Sequence, residues 1–207
     1  MPTANSQQPT APSQQPQKRI GIFGGSFNPI HCGHVALARQ LLTAAGLDEV
    51  WLMVSPQNPL KRQDGLLDDA LRLEMARLAV ADEPRIHASD YEFRLPRPSY
   101  TWHTLQCLQA DYPDTSFTLL IGGDNWAHFD RWYRAEELIS RYRMVVYPRP
   151  GSDIDATQLP PNVTLVEAQL MDISSTDIRR RIRRGESVDT LVPAAVARLI
   201  REHQLYR

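Results

Sequence analysis

Two histidines three residues apart, His31 and His34, close the run Gly24-Gly25-Ser26-Phe27-Asn28-Pro29-Ile30-His31-Cys32-Gly33-His34. Imidazoles at that spacing lie on one side of a helix's first turn, where they can hydrogen-bond a phosphate. The glycines ahead of them let backbone approach an anion, because no Cβ stands in the way. The apolar run Ile20–Phe23 reads as a buried strand before the turn. Val35–Ala45 reads as a helix after it, with first-turn N–H groups free to face the same anion. Together these pieces describe a site for nucleotide phosphates. The spacing is neither G-x-x-x-x-G-K-[ST] nor G-x-G-x-x-G, so a P-loop or an ordinary dinucleotide turn is not expected. A glycine turn with two purely structural histidines is the bland alternative.

A second segment weighs against that alternative. In Ile173-Ser174-Ser175-Thr176-Asp177-Ile178-Arg179 the hydroxyls read as the cap and first turn of a helix running to Arg184. Arg179 follows within about one turn and can aim its planar fork of donors at the same anion. Arg180, Arg181, Arg183 and Arg184 read as a solvated basic face. Between the two segments, the buried run Leu119–Ile121 leads into Gly122-Gly123-Asp124-Asn125. A glycine beside a carboxylate at a strand's C-terminal end suits a ribose.

The pattern G-G-x-F-x-P-x-H-x-G-H resembles the first signature of the nucleotidylyltransferase superfamily, and I-S-S-T-x-I-R resembles its second. Pro98-Ser99-Tyr100-Thr101 and Trp132-Tyr133 resemble elements of the bacterial nicotinate-nucleotide adenylyltransferases. Pro56-Gln57-Asn58-Pro59-Leu60-Lys61 occupies the place of their Pro-rich basic loop. The resemblance spans residues 19 to 205. Asn28 stands where many members carry Asp; other members of the superfamily have Asn there, and the departure reads as minor. His103 and the Gln106-Cys107 region match no assigned element.

The resemblance implies transfer of AMP from ATP to the 5′-phosphate of nicotinate mononucleotide, giving nicotinate adenine dinucleotide and pyrophosphate. It places ATP on Gly24, Gly25, Ser26, Phe27, His31, His34, Gly122, Asp124, Ser175, Thr176 and Arg179. It places the acceptor on Lys61, Thr101, Trp132 and Tyr133, with Trp132 stacked on the pyridinium face. His31, His34 and Arg179 are the catalytic candidates. The acceptor is already an anion, so no general base and no covalent enzyme intermediate are expected. Positioning and charge stabilisation carry the chemistry. His31 and His34 suit the α-phosphate, as neutral donors or as imidazolium. Mg²⁺ is expected through the ATP phosphates, and no metal site of the protein's own. Three alternatives stay open: a sister enzyme acting on nicotinamide mononucleotide, phosphopantetheine or a cytidylyl donor, a regulatory nucleotide-binding module, and an RNA binder using Arg179–Arg184.

These groups must be carried by a scaffold, and the rest of the chain alternates strand and helix. Glu49–Val54, Arg85–Ala88, Ser116–Ile121, Met144–Tyr147 and Val163–Val166 read as strands. Asp69–Val80, Tyr100–Leu108, Ala135–Ile139 and Pro193–His203 read as helices. Repeated β-α units predict an α/β fold, a Rossmann-like doubly wound parallel sheet in one domain, with ligands at the strands' C-terminal ends. The 207 residues suit one core. A net charge of −1 weighs against a general nucleic-acid binder. Cys32 and Cys107 offer no disulfide framework, and no catalytic-cysteine signature surrounds Cys32. Residues 1–18, rich in Pro, Gln, Ser and Thr, read as a flexible tail ahead of a domain over 19–207. With no apolar run of ~18 residues, no membrane partner is expected, and a cytoplasmic setting is the simple inference.

Overall fold

The backbone alternates parallel strands and helices in a computed structural model that describes residues 17–56 and 65–207. The strands are β1 (Lys18–Gly25), β2 (Glu49–Val54), β3 (Ile86–Ser89), β4 (Thr115–Gly122), β5 (Arg143–Tyr147) and β6 (Val163–Leu165). The helices are α1 (Cys32–Ala44), α2 (Asp69–Ala79), α3 (Thr101–Asp111), the short α4 (Gly123–Trp126), α5 (Ala135–Arg141), α6 (Ser175–Arg183) and α7 (Ala194–Glu202). The strand order is β3-β2-β1-β4-β5-β6, and every pairing is parallel. That is the doubly wound order expected from the repeated β-α units, with its switch point between β1 and β4. Lys18, assigned by composition to the tail, is the first residue of β1. The rest of that tail, residues 1–16, lies outside the described residues.

Both sheet faces are covered, and side-chain alternation sorts the core into two layers. On β4, Phe117, Leu119 and Ile121 face one layer and Leu120 the other. On β5, Met144 and Val146 pack with the first layer, Val145 and Tyr147 with the second. In the second layer α1 inserts Val35, Ala38, Leu41 and Leu42, a helical i, i+3, i+4 stripe. α7 adds Val196, Ala197, Leu199 and Ile200 to it. In the first layer α3 inserts Trp102, Leu105 and Leu108.

The register opens the site. β1 pairs with β4 as far as Phe23–Leu120, but with β2 on to Gly25–Val54. Past Phe23 the two central strands part, and the glycine loop leaves over that gap.

A buried cation holds the gap's edge. Arg72 of α2 is 0% exposed. It donates to the carbonyls of Ser26 at 2.6 Å, Ser55 at 2.8 Å and Leu67 at 3.0 Å, and to Asp69 Oδ1 at 2.5 Å. Asp69 in turn accepts from Arg97 at 2.7 Å. One side chain thus ties the glycine loop, the end of β2 and the start of α2. Arg72→Met strips three buried carbonyls of their donor and leaves Asp69 short of one. It is expected to destabilise the fold by about 3–5 kcal/mol, read from denaturant unfolding. Arg72→Lys should recover only part, because one ammonium cannot span those four acceptors.

Candidate active site

Backbone and core packing set the two histidines before any ligand arrives. His31 is the extended residue that begins α1, at φ −143°. Its ring stacks on that of His34, with centroids 3.7 Å apart and planes 27° from parallel. The His31 N–H donates to His34 Nδ1 at 3.3 Å. Gly33 between them leaves room for this, because a Cβ there would sit 3.1 Å from His31 Nδ1. Phe27, at φ 45°, turns its ring into the core, 2% exposed. It packs edge-on against His34 at 5.1 Å. A Cβ on Gly25 would lie 2.9 Å from that ring, so glycine is required by Phe27 as well as by a phosphate. The side chain of Phe27 therefore supports His34 and does not line the cavity.

Burial settles the charge of His31. Its ring is withdrawn from water, and Arg149 adds a positive charge nearby, so its pKa falls to about 4. Near neutral pH it is a neutral imidazole rather than the imidazolium the sequence left open. Its Nδ1 is buried without a hydrogen-bond partner among the described residues. Arg149, just past β5, was not foreseen. It lies 3.6 Å from Asp124 and over the Tyr147 ring at 5.9 Å. The only signal for it in the sequence is a basic residue following a strand's C-terminal end.

The second signature meets the first directly. Ser174 caps α6 by accepting from the Asp177 N–H at 3.1 Å. Ser175 Oγ donates to the Pro29 carbonyl at 2.8 Å, across 146 residues of sequence. Arg179 donates to the Asn28 carbonyl at 2.8 Å and to Thr176 Oγ1 at 3.3 Å. The neighbouring Arg180 and Arg181 pair with Asp177, which bears out the solvated-face reading. One expectation is corrected. The helix expected from Val35 starts at Cys32, and its N–H groups at Cys32, His34 and Val35 are not free for an anion: Cys32 donates to the Leu191 carbonyl at 2.9 Å, and His34 and Val35 donate to the His31 carbonyl at 2.9 and 3.4 Å.

A cavity of about 380 Å³ runs along the gap between β1 and β4. Gly24, Gly25, Ser26, Gly122 and Asn125 line one part of it. Ser99, Tyr100, Thr101, Trp132 and Tyr133 line another. Asp124 is exposed and sits beside this lining, while its neighbour Asn125 belongs to it. Trp132 leans on Phe129, with centroids 5.0 Å apart, and Phe129 stacks on Trp126 at 5.4 Å. Trp132 is thus both packed and exposed to the cavity. Tyr133 is 43% exposed and clusters with Tyr100 at 5.0 Å and His103 at 5.2 Å. Lys61 lies outside the described residues.

Unpaired donors mark this second part. Ser99 Oγ and Trp132 Nε1 are buried without partners among the described residues, and such groups usually await a ligand or water. Nearby, Tyr100 begins α3 with no side-chain cap. Glu92 also lines the cavity and accepts from Thr104 Oγ1 at 2.9 Å. Burial raises the Glu92 pKa against the pull of its bonds to Thr104 and Ser55.

Between its depressed folded pKa of about 4 and the ordinary 6.5, His31 binds a proton in the unfolded chain but not in the folded one. Stability should therefore fall as pH drops through that window. His31→Gln should show a shallower decline in melting temperature between pH 6.5 and 5 than the wild type. Parallel declines would place the His31 proton elsewhere.

The cytidylyltransferase-like family matches residues 22–181 of the chain. A Bacteroides fragilis protein named "Probable nicotinate-nucleotide adenylyltransferase" is 50% identical over 185 residues, 89% of this chain and 92% of that protein. A Cytophaga hutchinsonii protein of the same name is 43% identical over 91% of this chain and 98% of its own length. A Plasmodium falciparum nicotinic acid mononucleotide adenylyltransferase, solved in complex with NaAD, superposes with a TM-score of 0.77. It covers 91% of this chain and 97% of its own, at 21% identity, a likeness of fold.

Proposed function

The chain belongs to the cytidylyltransferase-like family and, within it, to the nicotinate-nucleotide adenylyltransferases, and from that membership we propose the reaction its site performs. ATP donates AMP to nicotinate mononucleotide, and nicotinate adenine dinucleotide and pyrophosphate leave. The observation that carries this reading is the shared cavity. The glycine loop at its one part and the unpaired donors of Ser99 and Trp132 at the other sit along a single gap.

The chemistry needs little from the protein beyond placement and charge. The acceptor phosphate attacks the α-phosphorus in line, the P–O bond to the β-phosphate breaks, and pyrophosphate carries away the electron pair. Proton abstraction is unnecessary, and no bond to the enzyme forms. Alignment of two bound reactants is worth ~7–11 kcal/mol in favourable cases. His31, neutral, and His34 act as donors to the α-phosphate oxygens, where charge builds. Arg179, Thr176 and the start of α6 meet the leaving pyrophosphate. Mg²⁺ arrives with ATP as part of the substrate. Among the described residues no group of three His, Cys, Asp or Glu side chains is gathered to hold a metal.

The acceptor's ring lies against Trp132, and its carboxylate takes the donors of Ser99, Thr101 and the Tyr133 backbone. Glu92, its pKa raised by burial, lines the same cavity. An amide would turn its own NH₂ against one of those donors and leave it unpaired. Among the described residues no helix is long and apolar enough to cross a membrane. A cytoplasmic enzyme using two soluble nucleotides fits that composition.

A pyrophosphate-release assay with ATP and Mg²⁺ tests the reading. The acid nucleotide should be preferred over its amide by at least about tenfold in kcat/KM, or ~1.4 kcal/mol. Thr101→Ala should narrow the preference, and Trp132→Ala should weaken both acceptors alike. Equal use of the two would move the chain to a sister specificity.

His34→Ala should keep the fold and lower kcat by roughly 10²–10³, the usual loss for one preorganised donor. A folded variant with near wild-type turnover would remove His34 from the α-phosphate.

A further inference from the structure

The end of the chain docks on the loop that carries the histidines. Beyond α7 the backbone passes through two left-handed residues, Gln204 at φ 49° and Tyr206 at φ 67°. This path buries Leu205 in the layer shared with α1, α2 and α7. It also turns the Tyr206 ring inward, where the phenol O–H donates to Asn28 Oδ1 at 2.9 Å. Arg179 and Arg72 are the charges that act on this phenol, and burial outweighs them to raise its pKa further. Tyr206 is therefore a neutral donor wherever the enzyme works.

Asn28 is the node that this phenol fixes. Its Oδ1 also accepts from the Leu67 N–H at 3.3 Å, and its Nδ2 donates to the Gly65 carbonyl at 2.9 Å. Its own carbonyl is the one that receives Arg179 at 2.8 Å. The phenol is absent from the cavity lining. Without it, Oδ1 keeps only the longer bond, and the amide is less firmly held toward Gly65.

We propose that Tyr206 is a positioning residue for ATP: by holding the Asn28 amide it sets the Asn28 carbonyl, and through that carbonyl the approach of Arg179 to the triphosphate. The inference rests on the reading of Arg179 as a phosphate ligand. It predicts an effect on ATP alone, because Arg179 is read as a ligand of the triphosphate and not of the acceptor; neither Asn28 nor Arg179 lines the cavity itself.

Tyr206→Phe keeps the ring and removes the donor. ATP affinity, measured by calorimetry with ATP and Mg²⁺ alone, should weaken about three- to tenfold, the usual range for one hydrogen bond. KM for ATP should rise in step, while kcat and the acceptor KM stay within about twofold. Asn28→Ala should weaken ATP as well. Adding Tyr206→Phe to it should change affinity by less than about twofold, because both act through one amide. Three results overturn the proposal: unchanged ATP affinity in Tyr206→Phe, parallel weakening of both substrates, or a lowered melting temperature with ATP affinity intact. A wild-type protein that binds no ATP would instead overturn the reading of the site on which the proposal stands.

Discussion

A guanidinium sealed from water must find every partner inside the protein, and Arg72 finds them at the one place where the sheet opens. Its bonds reach the glycine loop through Ser26, β2 through Ser55 and the approach to α2 through Leu67 and Asp69. The same segments are also tied by the Ser55 N–H to the Gly25 carbonyl and by Asn28 to Gly65 and Leu67. The constraint is directional, because a planar fork accepts few arrangements of carbonyls. Once Ser26 is placed, Phe27 can enter the core at positive φ, and His34 is packed against its ring. The position of the histidines is therefore a consequence of core packing, imposed before substrate arrives.

The alternation of strands and helices could be read from hydrophobic period, whereas the order of the strands in the sheet came with the structure and the site was placed by the motifs after β1 and β4. Glu49–Val54 has the bounds expected of it, and Ser174 caps α6 as the hydroxyl run implied. Local rules governed these elements: alternation on strands, and side-chain oxygen before the first turn. Where long-range contact decides, the sequence was mute. Arg72 sits in an ordinary amphipathic helix, and nothing near it in sequence announces that it is buried. Asn28 read as a minor departure from Asp, yet its Nδ2 donates to Gly65, which a carboxylate cannot do. Tyr206 lies 178 residues from its partner. Gly123–Trp126 forms a helix too short to carry a period. Pro193, expected inside the last helix, is its cap.

The glycine loop shows how the same residue types serve two masters. Gly25 was read as clearance for a phosphate, but the nearest group it clears is the Phe27 ring at 2.9 Å. Gly33 makes room for the His31 ring. The anion-binding reading and the packing reading agree on glycine, so the motif alone could not separate them. The cavity does, because Gly24 and Gly25 line it together with Ser26.

A protein of net charge −1 that must bring two phosphates together has no global field to help it. Attraction has to be local, and it is divided between charge and neutral donors. Arg179 on α6, bonded to the Asn28 carbonyl, and Arg149 beyond β5, which acts on His31, supply full charges. His31 is held neutral by burial and then by Arg149. A cation at that position would meet Arg149 in a poorly hydrated place, which costs more than a hydrogen-bond donor of the same shape. Neutrality also has a use. On the proposed assignment, a donor whose charge does not change with pH near neutrality leaves the α-phosphate environment constant across that range, and the leaving pyrophosphate is met by the Arg179 guanidinium, which does not deprotonate. That proposed division gives permanent charge to the group that departs with the most charge and a neutral hydrogen bond to the centre where the bond forms.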